Sequence, residues 1–301
     1  LRHNVNQSSD SNASANFFDV QNLCSSLSIP FIECPHDDVK AISMASTSIG
    51  AEIAIVAGAR ILQANIIDIF PKGVVNFHPG KIPETSGLDS FYYTLKSGSS
   101  MGVTVHLIDE RVDAGELIFF EKLRVLSEDT YDSIKHSLYL IQLRALHRFL
   151  DIFFLDGIAC IPIHRPKKNR PLDADEKKII KDSFDAWKIQ QIKSNRDIEN
   201  NFFTMCVEGN LAEVKKLISK NLYLLNLKDS NGWSAIIIAA FWQHELLVKY
   251  LLKMGADPND YGNNGTTVLM YSKTKLLDEK DPSLRIISAL ISSGAKVHTT
   301  D

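Results

Sequence analysis

The stretch Val74-Val75-Asn76-Phe77-His78-Pro79-Gly80 decides how the rest of the chain is read. Two β-branched residues open a strand, and Pro79 ends it because its ring removes a backbone donor. Strand side chains alternate between faces, so Asn76 and His78, two apart, point the same way. A polar pair is thereby set at the carboxyl end of a strand, where open α/β sheets hold their ligands. Working backward, residues 51–57 form a continuous apolar run typical of a buried parallel strand, followed by Gly58 and a helical pattern through Phe70. Working forward, residues 89–96 read as a helix, and 102–108 (GVTVHLI) and 116–123 (ELIFFEKL) as two more strands. Residues 130–154 carry the spacing of a long amphipathic helix, the Pro-bounded 161–171 is predicted to be an extended loop, and 173–192 return to helix. Helical spacing also marks 17–27 and 37–49, while 1–16 are polar and aperiodic and are predicted to be a flexible loop. This alternation predicts an α/β fold with a mostly parallel sheet covered on both faces. No strand is predicted before residue 17, so the first strand of such a sheet is expected to be missing. With Leu1 at one end and Asp301 at the other, the chain is expected to be a fragment at both ends.

From about residue 198 the pattern becomes an internal repeat. Asp229-Ser230-Asn231-Gly232-Trp233-Ser234 opens a unit that runs through Ala239-Ala240 and Leu251-Leu252 to Gly255-Ala256-Asp257-Pro258-Asn259. Gly265-Thr266-Thr267 restarts the cycle 33 residues after Gly232. Gly255 can take the left-handed conformation that closes a helix, and Pro258 prevents continuation. The period, the paired alanines and the GADPN turn resemble the ankyrin repeat. The resemblance implies an all-α module of about three repeats over 198–301, with 201–227 as a divergent first unit.

Charge and cysteine usage narrow the function classes. With 33 basic and 36 acidic residues in 301, the net charge is −3, and basic residues gather only in the short 165–170 stretch. Nucleic-acid binders neutralise many phosphates with a basic face, so no nucleic-acid partner is expected. No run approaches the roughly 20 apolar residues of a membrane helix, and no basic-then-apolar leader opens the chain, so no membrane partner is expected. Cys24, Cys34, Cys160 and Cys206 are far apart with no CxxC pairing, which predicts no metal site and no disulfide framework. A cytoplasmic location is the corresponding expectation.

The chemistry-bearing residues follow the decisive strand. Asn76-Phe77-His78-Pro79 is succeeded by Gly102-Val103-Thr104-Val105-His106 and by Asp109-Glu110-Arg111-Val112-Asp113-Ala114-Gly115. The pattern NxHP followed by GVTxHxxDxxxDxG resembles the formyltransferase family, over roughly 17–125 and in outline to about 190. The resemblance implies N10-formyltetrahydrofolate as donor and Asn76, His78 and Asp113 as the catalytic trio. It places the pterin against the loop after the 51–57 strand and the loop around Asp113, making Gly58, Ala59, Arg60, Ile61, Val112, Ala114 and Gly115 candidate cofactor-binding residues. The chemistry asks for the same side chains: an amide N–H for the oxyanion of a tetrahedral intermediate, an imidazole to move the amine proton, and a carboxylate to orient that imidazole. His106 faces the strand interior and is read as a structural or supporting residue. One departure is Ser86, which stands where the family usually carries an Arg.

The chain thus divides into a catalytic domain over 1–125, a helical and extended subdomain or linker over 126–197, and ankyrin repeats over 198–301. Low charge and the ankyrin fusion resemble the branch acting on dTDP-linked amino sugars for bacterial surface polysaccharide, whose members imply a homodimer. A nucleotide sugar offers a flat base and a diphosphate, so Lys81, Tyr92 and Tyr93 are candidate acceptor-binding residues, with Arg165 beside them. In the repeats, Trp233, Trp242 and Tyr261 form a candidate ligand site; a protein partner on the concave face is the other use of such a stack. Two alternatives remain open at this point. One is an ankyrin scaffold with a degenerate formyltransferase domain; the other is formyl transfer to a different amine, such as that of methionyl-tRNA.

Overall fold

A computed structural model describes residues 20–56, 61–111, 113–155, 159–164, 168–274 and 282–297. The 1–16 segment expected to be a flexible loop lies outside the described residues. Five strands form one sheet in chain order: β1 (Ala54–Val56), β2 (Val74–His78), β3 (Gly102–Leu107), β4 (Glu116–Lys122) and β5 (Ile161–Pro162). Only β1 and β2 run parallel; the other three pairs are antiparallel. The sheet is therefore mixed and not mostly parallel. For β3 and β4 the reason is connection length: a parallel return needs a crossover of a dozen or more residues, and only residues 108–115 separate them.

Helices α1 (Val20–Ser26), α2 (Val39–Ile49) and α3 (Ala64–Ile67) accompany β1, and α4 (Ser90–Ser97) follows β2. Asp38 starts α2 by accepting from the Ala41 N–H, and Gly50 closes it at φ 63. The long helix α5 (Tyr131–Leu155) lies across β2 and β3. Its Ile134, Leu138, Ile141, Ala145 and Phe149 recur at helical spacing and meet Val75, Val103 and Val105 in one core. Because these valines face α5, the alternate residues Asn76, His78, Thr104 and His106 face the other way.

After α6 (Ala174–Asp182), capped by a reciprocal Asp173–Glu176 box, comes α7 (Phe184–Val207). Its 24 residues span about 36 Å at 1.5 Å per residue and pass straight through the 197/198 boundary expected from sequence. The first half joins the sheet domain: Phe184 and Trp187 enter its core, Trp187 Nε1 donates to the Ser99 carbonyl at 3.0 Å, and Gln191 Nε2 to that of Gly98 at 2.9 Å. The second half joins the other core, where Phe202 and Cys206 are fully buried. Burial pushes the Cys206 thiol up to about 12.

The remaining elements are α8 (Leu211–Lys220), a 3-10 turn (Leu222–Asn226), α9 (Ala235–Phe241), α10 (Glu245–Lys253), α11 (Val268–Lys273) and α12 (Pro282–Ser292). The 33-residue period is visible in the turns, since the Lys228–Ser234 bridge is repeated at Tyr261–Thr267. Adjacent turns are tied by Asn263, whose N–H donates to Asn231 O at 3.1 Å and whose Nδ2 donates to Ser230 O at 3.1 Å. No described helix is long and apolar enough to cross a membrane.

Candidate active site

Across the antiparallel β2–β3 ladder Asn76 stands opposite His106, and His78 opposite Thr104. His106 is fully buried. Its Nδ1 lies 3.0 Å from the Ala114 carbonyl, so Nδ1 carries the hydrogen and donates. Nε2 is left to accept from Asn76 Nδ2 at 3.2 Å. Burial pushes His106 below the usual histidine range, against the Ala114 hydrogen bond and the Asp113 charge. A neutral ring of fixed tautomer thus determines which way the Asn76 amide is turned.

His78 is 6% exposed. Its Nε2 lies 3.0 Å from the Thr85 carbonyl oxygen and its Nδ1 3.4 Å from Asp113 Oδ1. Both neighbours are acceptors, so a protonated ring would find a partner for each N–H. Asp113 sits at φ 48, in the left-handed region, and its second oxygen accepts from the Gly87 N–H. Burial works against the Asp113 charge, but the His78 hydrogen bond and charge and the Gly87 N–H outweigh it, and the carboxyl lies below its usual range. Local sequence explains the crowding: a Cβ on Gly80 would come within 3.0 Å of His78 Nε2, and Thr104 Oγ1 fixes the turn by donating to Gly80 O at 2.6 Å.

The trio borders a cleft of about 840 Å³, within the range of small-molecule sites. Val56, Ile61, Leu62 and Ile108 supply apolar lining, and Arg111, Lys168 and Arg170 supply cations. Of the candidate cofactor residues, Ile61 lines the cleft, and Gly58, Ala59, Arg60 and Val112 lie outside the described residues, as does Arg165. Ala114 and Gly115 do not line it. Ala114 is fully buried and holds His106, while Gly115 sits at φ 94 with its carbonyl accepting from Ile163 N–H at 2.8 Å.

The three acceptor candidates also lie off the cleft. Lys81 pairs with Glu84 at 2.8 Å, Tyr92 packs edge-on against Phe91 under Lys177, and the Tyr93 hydroxyl donates to Arg170 O at 3.0 Å. Residue type suggested these side chains, but the direction of Tyr92 and Tyr93 is set by the α4 face they occupy and that of Lys81 by its pair with Glu84. Conversely, Gln142 of α5 borders the cleft and donates to Phe77 O at 3.0 Å, which nothing in the sequence signalled. Lys168 and Arg170 were foreshadowed only by the basic 165–170 stretch. In the repeats, Trp233 stacks into Phe241 and Tyr271, and its indole N–H donates to Tyr271 Oη at 3.0 Å; Trp242 and Tyr261 remain 41% and 59% exposed. A second hollow of about 650 Å³, between α4 and α6–α7, contains none of the trio.

Two family models match the chain. The formyl transferase family model matches residues 33–149, and the model for ankyrin repeats in three copies matches 202–301. The chain carries a formyl transferase domain followed by ankyrin repeats. The phosphoribosylglycinamide formyltransferase of Haemophilus influenzae is 27% identical over 90 residues, covering 29% of this chain and 42% of that one. The methionyl-tRNA formyltransferase of Pelotomaculum thermopropionicum is 29% identical over 101 residues, covering 33% and 32%. The chain thus spans less than half the length of these curated relatives. Among solved structures, the formyltransferase PseJ from Anoxybacillus kamchatkensis, in complex with UDP-4,6-dideoxy-4-formamido-L-AltNAc and tetrahydrofolate, is 20% identical with a TM-score of 0.43, covering 57% of this chain and 91% of that one. A 4-N formyltransferase from Francisella tularensis is 15% identical with a TM-score of 0.41, covering 54% and 69%.

Proposed function

We propose that the protein transfers a formyl group from N10-formyltetrahydrofolate to the amine of a nucleotide-linked amino sugar, a dTDP sugar being the first to test. The observation that carries this reading is the meeting of Asn76, His78 and Asp113 at the carboxyl end of β2, beside a cleft with one apolar and one cationic set of residues. The apolar set suits a flat pterin, and Arg111, Lys168 and Arg170 suit the acceptor's phosphates. The net charge of −3 weighs against a tRNA acceptor.

In this mechanism the acceptor amine attacks the formyl carbon. One Asn76 amide hydrogen is held by His106, and the other is available to the oxyanion. His78 has an acceptor beside each ring nitrogen, Asp113 Oδ1 and Thr85 O, so an imidazolium formed there is stabilised. Taking a proton from the ammonium of the intermediate forms that imidazolium, and giving it to N10 makes the folate nitrogen a leaving group. One proton moves from the amine to N10, and Asp113 remains ionised throughout. The same reading includes a homodimer, checked by light scattering, and a protein partner for the repeats, which expose Trp242, Leu246 and Tyr261.

The direct test incubates the purified chain with the donor and a panel of dTDP- and UDP-amino sugars, glycinamide ribonucleotide and methionyl-tRNA. Formylation of a nucleotide sugar supports the reading, and formylation of one of the other two reassigns the acceptor. Turnover of none leaves an ankyrin scaffold with an inactive formyl transferase domain.

A further inference from the structure

We infer that Asn169, well outside the sequence motifs that carry the trio, is a positioning residue that locks the turn holding His78 and Asp113 together. The argument starts from the turn at 84–87. It supplies the Thr85 carbonyl that accepts from His78 Nε2 and the Gly87 N–H that donates to Asp113. One four-residue turn therefore supports both halves of the pair. What fixes that turn from outside is Asn169, which is 6% exposed. Its backbone N–H donates to Ser86 O at 2.9 Å, its Nδ2 reaches Glu84 O at 3.4 Å, and it forms a parallel bridge with Gly87.

The fit is close enough to need glycine. Gly87 sits at φ 95, and a Cβ there would stand 2.8 Å from Asn169 O. Ser86 is fully buried, and its hydroxyl donates to Pro83 O at 3.3 Å. The segment bearing Asn169 is itself clamped. Tyr93 Oη donates to Arg170 O at 3.0 Å, Leu172 N–H donates to Asp89 Oδ2 at 2.9 Å, and Lys177 pairs with Asp89 at 2.9 Å. Asn169 thus transmits the rigidity of the 168–177 region to a turn more than eighty residues earlier in the chain. It also lies beyond residue 149, where the match to the formyl transferase family ends.

The inference rests on the proposed roles of His78 and Asp113, so its first test does not use activity. The Gly87 amide reports the ionisation of the carboxylate it touches and can be followed by proton–nitrogen NMR through a pH titration of the full chain. Asp113 faces His78 from β2, His106 from β3 and the Gly87 N–H, with Asp109 and Arg111 on its own loop. In the wild type the Gly87 midpoint should lie below the usual carboxylate range. Asn169→Ala removes the Nδ2 bond to Glu84 O and leaves the backbone N–H on Ser86 O, so the turn loosens at one end and the midpoint should move up toward that range. Asn169→Ser, which keeps a small donor, should fall between and serves if the alanine variant does not fold. An unchanged midpoint in the folded variants overturns the inference. With an active enzyme, Asn169→Ala should lower kcat by about 10- to 100-fold and leave KM within about twofold, as misplacement of a reacting group does. A wild type that transfers no formyl group would remove the activity reading and leave the titration to decide on Asn169.

Discussion

Asn76 has two amide hydrogens, and His106 takes one of them. Replacing Asn76 by Ala should reduce formyl transfer by about 10²- to 10³-fold, as loss of an oxyanion donor does. His78→Asn should cost about 10²-fold or more in a folded protein, read from single-turnover rates. His106 allows a test without substrate. Its folded pKa is lowered by burial, so below about pH 6.5 the unfolded chain binds a proton that the folded chain does not. Its contribution is complete above that pH and is lost as pH falls beneath it. Urea midpoints at pH 7.5, 6.5 and 5.5 should therefore drop more for the wild type than for His106→Gln, and parallel curves would show that the ring is not held neutral. That Asn76 and His78 share a face was legible in the sequence because strand alternation fixes it, and the flanking motif pointed to Asp113. The supporting bonds were not, because Ala114 and Thr85 act through backbone carbonyls that no residue type advertises.

At the scale of elements, α7 shows what periodicity conceals. Phe184 and Trp187 announce an apolar face, but Gln191 and Asn195 continue it as buried polar residues that bond to the backbone of the sheet domain. A polar residue on a helical stripe reads as its solvent side, so the sequence suggested a helix ending near 192. Four strands were found in place, while β5 falls in the segment expected to be a loop; the antiparallel turn of β3 into β4 follows from the short 108–115 connection, a length that was there to be weighed. Ser194 is exposed in the middle of α7, between the two cores. A proline there would cost about 3 kcal/mol or more in helix and uncouple the halves. Calorimetry of Ser194→Pro should resolve two unfolding transitions where the wild type shows one; a single transition at lower temperature would mean that the cores are joined chiefly by other contacts.

Those other contacts are visible in the whole molecule. Arg124, just past β4, grips Glu199 of α7 with two hydrogen bonds of 2.7 and 3.1 Å and lies over the Tyr223 ring. Ending the chain at Asp197 would remove both partners and cut α7 short, so the truncated protein should melt several degrees lower than the full chain and bind an exposed-surface dye. Equal melting would show that the sheet domain is self-sufficient. The seam also contains its own chemical reporter. Cys206 is fully buried, and its thiol is held near 12, so at neutral pH it has almost no thiolate and no path to a reagent. Cys24, Cys34 and Cys160 are partly exposed and should be alkylated first. The late, denaturant-dependent capture of the fourth cysteine then counts how often the second half of α7 lets go of the repeats, turning an inert core residue into a clock for the opening of that interface.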